Sequence, residues 1–136
     1  MSVRIAFDLD GVLVPDCEHI PQLGDLGEYL EMATHMLPLF QPQGKYWIIT
    51  ARPKKYKRHT DTWIKRHLKV KPKNLLQECV DEEPEVYKTR LLNKHPSIKL
   101  YIESDQRVVD YLGQHVTTGC KIVHFGDYIS GLFAHT

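Results

Sequence analysis

Long apolar runs are missing from this chain of 136 residues. None approaches the ~20 residues that span a bilayer, so no membrane segment is expected. The opening MSVRIAFDLDG lacks the apolar stretch of a signal peptide. Cysteine is scarce: Cys17, Cys79 and Cys120 are odd in number and widely spaced. They form neither a CxxC pair nor a disulfide framework, and are expected as free thiols in a reducing cytoplasm. The eight histidines make no HxH, HxxxH or HExxH pattern, which argues against a zinc site. Net charge is only +1, so the overall balance selects no partner. With no repeat, linker or low-complexity stretch, residues 1–136 are expected to form one domain.

The distribution of charge is more informative than its sum. From Ala51 to Lys73 ten Lys or Arg stand against one acid, Asp61. From Gly11 to Gly44 there are five acids and no base.

Buried-type apolar runs alternate with helical spacing. Strands are expected at Val3–Leu9, Lys45–Thr50, Asn74–Val80, Ile98–Glu103 and Lys121–Phe125. Residues 12–24, with Pro15, Pro21 and Gly24, read as a loop or flap. From Asp25, a suitable N-cap, Leu26, Tyr29, Leu30, Ala33, Leu37 and Phe40 fall on one helical face, which Pro38 should end or kink. A second helix is expected over Thr60–Lys69. A third opens at Pro84 and runs to Lys94. A fourth is capped by Asp105 and closed after Leu112 by Gly113. The tail from Asp127 is ambiguous. Strand–helix alternation of this kind implies right-handed βαβ units. The expected fold is α/β: a Rossmann-like three-layer domain with a five-stranded parallel sheet and helices on both faces.

In such sheets ligands bind off the carboxyl ends of the strands. The first strand closes with Asp8-Leu9-Asp10-Gly11, the second with Thr50-Ala51-Arg52-Pro53 and the fourth with Glu103-Ser104-Asp105. Lys88 lies near the start of the helix preceding the fourth strand. An apolar strand has no structural reason to end in two carboxylates, whose repulsion is costly unless a cation or proton offsets it. A hard cation such as Mg²⁺ is the natural partner.

This set resembles the haloacid dehalogenase-like superfamily of phosphohydrolases. FDLDGVL matches that family's first motif, IIT ending at Thr50 its second, Lys88 in YKTRLL its third, and YIESDQRVVDYL lies at the acidic fourth. The resemblance implies an aspartyl-phosphate mechanism. Asp8 is the nucleophile and Asp10 the general acid and base. Thr50 and Lys88 hold the phosphoryl group, and Mg²⁺ is held by Asp8, the Asp10 carbonyl and an acid of the fourth motif. That motif is irregular here. Glu103 takes the place of its first acid, Ser104 that of the second, and Asp105 falls one beyond. Glu103 is the favoured ligand, direct or through water, with Asp105 next; Asp105 also reads as a plain helix cap.

Neither gap between motifs has room for a folded cap, so a capless, open site is expected. Open sites suit large phosphates or need a neighbouring subunit, such as a second copy, to close them. Arg52, Lys54, Lys55 and Lys57 follow Thr50 directly and would form an anion-binding wall; the alternative is a solvated, lysine-rich helix face. Together with a similarity to 5′-nucleotidase-like and polynucleotide-phosphatase-like members, this favours a nucleotide, an oligonucleotide or a nucleic-acid terminal phosphate as substrate. The alternative from another class is a catalytically weakened domain of the same fold that binds a nucleotide or protein without turnover. A phosphotransferase using the same intermediate is a further alternative.

Overall fold

The computed structural model describes residues 4–16 and 26–134. Five parallel strands form one sheet: β1 (Arg4–Phe7), β2 (Trp47–Ile49), β3 (Asn74–Leu76), β4 (Ile98–Glu103) and β5 (Lys121–His124). Their order is β3-β2-β1-β4-β5. The chain steps outward from β1 through β2 to β3, then crosses back to place β4 on the other side of β1. The switch point is therefore the carboxyl end of β1 and β4, where such sheets open a crevice. The α/β architecture inferred from the sequence is the one observed.

Alternation along the strands fills two cores. Ala6, Ile49 and Tyr101 face one layer, where α3 (Pro84–Lys94) contributes Tyr87, Leu91 and Leu92, and α4 (Gln106–His115) contributes Val108 and Leu112. Phe7, Ile48 and Ile102 face the other, where α2 (Lys57–His67) contributes Trp63 and Ile64. Phe125 and Tyr128 of α5 (Phe125–Ala134) pack on this second layer. A smaller cluster of Tyr29, Leu30 and Ala33 belongs to α1 (Leu26–Ala33). No helix among the described residues is long and apolar enough to cross a membrane.

Several boundaries differ from the expected ones. The flap beyond Asp16 and the Asp25 cap lie outside the described residues. α1 stops at Ala33 rather than reaching Leu37, which is 77% exposed. There the chain turns, Met36 N–H donating to Ala33 O, and the Met36 carbonyl accepts the indole N–H of Trp63 at 2.9 Å. α2 begins at Lys57, after a 3₁₀ turn at Lys54–Tyr56, ahead of the expected Thr60. Its C-terminal carbonyls are covered by Lys71 Nζ, 3.0 Å from both Ile64 O and Lys65 O. Gly113 lies inside α4 instead of ending it, and the ambiguous tail continues as α5.

Candidate active site

The carboxyl edge of the sheet is built around one tight turn. The Asp8 amide donates to Ile102 O at 2.9 Å, so Asp8 still sits in the β1–β4 ladder. The chain then doubles back, with the amides of Leu13 and Val14 donating to Leu9 O. Gly11 adopts φ +85°, and a Cβ there would lie 2.5 Å from Ser104 Oγ. Only glycine meets both the conformation and the contact. Ser104 in turn donates its hydroxyl to the Asp10 carbonyl at 3.2 Å, tying the loop after β4 to the loop after β1.

Beneath this turn lies a buried charge cluster. Lys88 Nζ sits 2.7 Å from Glu103 Oε1 and 3.2 Å from Asp8 Oδ1. All three side chains are almost fully shielded from water. Tyr101 donates its hydroxyl to Glu103 Oε1, and the amides of Ser104 and Asp105 donate to Oε2 at 3.0 and 3.1 Å. Both oxygens of Glu103 are thus committed to protein donors. Asp8 Oδ1 also accepts from the Leu9 amide at 2.8 Å. No N–H or hydroxyl among the described residues reaches Asp8 Oδ2.

Two carboxylates share one ammonium, so without a proton or a bound cation the cluster would carry one uncompensated negative charge. Burial, and then the neighbouring Glu103 charge, push the Asp8 carboxyl well above its usual range, against the pull of Lys88. Burial alone would lower Lys88, but the two carboxylates outweigh it and raise it. Burial acts against the Glu103 charge too. The Lys88 ammonium and the donated hydrogen bonds nevertheless hold it below the usual carboxylate range.

A second, separate ion pair holds Asp10. Arg52 grips its carboxylate with two hydrogen bonds, Nε to Oδ2 at 2.9 Å and Nη2 to Oδ1 at 2.8 Å. The Arg52 side chain is only 3% exposed, and Nη1 donates to the buried Thr60 hydroxyl. Thr50, also buried, accepts the Arg52 amide at its Oγ1, which leaves the hydroxyl proton available to a ligand.

These groups line one pocket of about 230 Å³. Asp8, Asp10, Thr50, Arg52, Lys88, Glu103 and Asp105, all singled out from the sequence, meet there. Lys54 and Lys55 do not: they lie exposed beyond Pro53, on the 3₁₀ turn outside the pocket. Arg52 is not the surface cation expected from its place in a basic run. Sequence reasoning missed Tyr101, the tie from Ser104 to the Asp10 carbonyl, and the wall formed by Leu26, Tyr29 and Leu30 of α1. Tyr101 was findable, because residues two apart in a strand share a face and so Tyr101 must accompany Glu103.

Among the described residues no three acidic, histidine or cysteine side chains converge on a point. Mg²⁺ does not need three, since it binds through one or two carboxylates and keeps several waters. Asp8 shares one ammonium with Glu103 and has an undonated oxygen, so a cation bound there would supply the missing positive charge. Asp105 accepts the Arg107 amide at Oδ1 as the cap of α4, and its side chain is 46% exposed. It has oxygen capacity to spare where Glu103 has none.

No family model matches the chain, and no curated protein matches it in sequence.

Proposed function

We propose that this protein is a Mg²⁺-dependent phosphomonoester hydrolase of the haloacid dehalogenase-like kind, acting through an aspartyl-phosphate on Asp8. The observation that carries the reading is the buried carboxylate of Asp8. It stands at the switch point with Lys88 beside it, Glu103 competing for the same ammonium, and one oxygen without a protein donor. Burial and Glu103 favour the protonated form of Asp8, so Lys88 and a bound cation would be needed to keep it ionised, and the carboxylate is then the nucleophile. In this reading Asp8 attacks phosphorus, the bond to the leaving oxygen breaks, and Asp10 supplies the proton that oxygen takes up. Water then attacks the phosphoryl group, Asp10 takes the proton, and Asp8 is released. Lys88 and the Thr50 hydroxyl hold the phosphoryl oxygens. Asp8, the Asp10 carbonyl and Asp105 would hold Mg²⁺, whose charge would offset that of the phosphoryl group.

The Arg52 clamp adds a condition. Asp10 cannot give a proton while both its oxygens accept from Arg52. Phosphoryl oxygens entering the pocket compete for the same guanidinium, which is suited to bidentate contact with either anion. Substrate arrival would thereby free Asp10. The substrate class favoured by the basic run beside the pocket is a nucleotide, an oligonucleotide or a nucleic-acid terminal phosphate.

The Arg52–Asp10 pair also gives the best support to the second reading, a domain that binds a phosphorylated ligand without turning it over. One assay separates them. Hydrolysis of an aryl phosphate with Mg²⁺ is expected in the wild type and lost in chelator. Asp8→Asn should lower it by at least about a thousandfold, as removal of a nucleophile does, while the protein stays folded. Unimpaired hydrolysis by Asp8→Asn would refute the nucleophile. Binding of phosphate without hydrolysis by the wild type would favour the second reading.

A further inference from the structure

The solvent face of α2 is a row of cations that the pocket itself does not use. Opposite the buried Thr60, Trp63 and Ile64, the helix exposes Lys57, Arg58, Asp61, Lys65 and Arg66. Lys57 pairs with Asp61 at 3.3 Å, and Arg66 Nη1 lies 3.4 Å from Thr34 Oγ1. Arg58 and Lys65, two turns apart on one face, have no carboxylate partner among the described residues, and neither do Lys54 just before the helix and Lys69 just after it.

The row has a direction. Pro53, which precedes it, lines the pocket. At the other end the Lys73 amide donates to Tyr46 O, beside the start of β2, so the helix returns the chain to the amino edge of the sheet. At 1.5 Å per residue α2 is roughly 16 Å long, and the cations run its whole length away from the pocket mouth.

Helix stability accounts for Lys65 and Arg66 in the last turn, where positive charge is favoured, but not for the cations at the start of the helix. Positive charge at a helix N-terminus opposes the macrodipole. Yet the first turn of α2 holds Lys57 and Arg58, no acid and no side-chain cap, and Lys54 and Lys55 precede it. A pattern that works against its own element points to a role outside it.

We propose that the solvent face of α2 is a track for the backbone of a single-stranded polynucleotide whose terminal phosphate enters the pocket. Arg58 and Lys65, the helix cations with no carboxylate partner among the described residues, lie on one line along α2, which suits one phosphate chain. The proposal deepens the phosphatase reading and rests on it only for the fate of the terminal phosphate.

The test is binding of a labelled oligothymidylate without terminal phosphate, long enough to span α2, measured against salt. The Lys65→Gln/Lys69→Gln double variant is compared with Lys94→Gln/Lys121→Gln, which removes the same charge from α3 and β5. The α2 variant should bind more weakly and lower the slope of log affinity against log salt by about 1.4, since each single-strand phosphate contact contributes about 0.7. Aryl phosphate hydrolysis should be unchanged in both variants. No binding by the wild type at low salt, or an equal loss in both variants, overturns the track. Binding with the expected slope but no hydrolysis of any phosphate leaves the track standing and removes the phosphatase reading. Hydrolysis without oligonucleotide binding does the reverse.

Discussion

Lys88 and Lys54 stand at the same edge of the sheet under opposite rules. Lys88 is buried between two carboxylates at 2.7 and 3.2 Å. Lys54 is exposed, with no carboxylate partner among the described residues. A buried charge is worth its geometry, because its partners are desolvated with it. An exposed charge acts through a field that salt screens within about 10 Å at 0.1 M. One region therefore fixes atoms, and the other gathers ions.

Removing the buried cation should have the largest effect. Lys88→Met leaves Asp8 and Glu103 buried and facing each other. A loss of about 3–5 kcal/mol is expected, as when one partner of a buried pair is removed. Calorimetry should show a fall in Tm of more than about 10 °C. A variant as stable as the wild type would mean that the cluster is open to water.

The two acids after β4 should separate next. Glu103→Gln should cost about 2–3 kcal/mol through its hydrogen bonds to a charged donor and to backbone amides, without changing the Mg²⁺ concentration required by whatever activity remains. Asp105→Asn should leave stability almost untouched, since Asn caps a helix as well as Asp, and raise that Mg²⁺ requirement. The opposite ranking would make Glu103 a metal ligand despite its four donors.

Arg52→Met lies between the two regions, because Asp10 is partly exposed. A cost of about 1–2 kcal/mol is expected from the lost charge-assisted hydrogen bonds. Steady-state kinetics should show kcat falling less for an alkyl phosphate than for an aryl phosphate, because loss of the clamp frees Asp10 for the leaving group that most needs its proton. Equal losses would make Arg52 a phosphate ligand alone.

The smallest effect belongs to the exposed cations at the pocket rim. Lys54→Gln/Lys55→Gln should raise KM for a nucleotide a few-fold at low salt and leave kcat and Tm unchanged. The difference should vanish as salt rises. A salt-independent effect would place these side chains in direct contact with the reacting phosphate.

The contrast also marks how far the sequence could be read. The parallel sheet and the convergence of Asp8, Thr50 and Glu103 followed from buried-type runs ending in polar residues, because period and burial are local properties; Lys88 came from the family resemblance, and the strand order was not read. The direction of Arg52 did not. It stands in a run of basic residues and differs from them only in having Asp10 and Thr60 within reach, both supplied by tertiary structure. Glu103 likewise reads as a ligand until its four donors are known, and two of those are backbone amides that no side-chain pattern reveals. Gly113 and the start of α2 were misjudged because packing overrode local propensity. Trp63 and Ile64 anchor α2 against the sheet, and Leu112 carries α4 past the glycine.

The sheet order has a consequence for how the molecule comes together. β1 is flanked by β2 and by β4, and the Asp8 amide needs the carbonyl of Ile102, far along the chain. Contacts between residues so distant in sequence are costly to close and form late. β1, β2 and β3 can associate while Asp8 still faces water with no partner. The arrival of β4 desolvates Asp8, seats Lys88 and brings in Glu103 in one step. The folding nucleus is thus expected on the β1–β3 side, and the docking of β4 to be the step that urea reverses first.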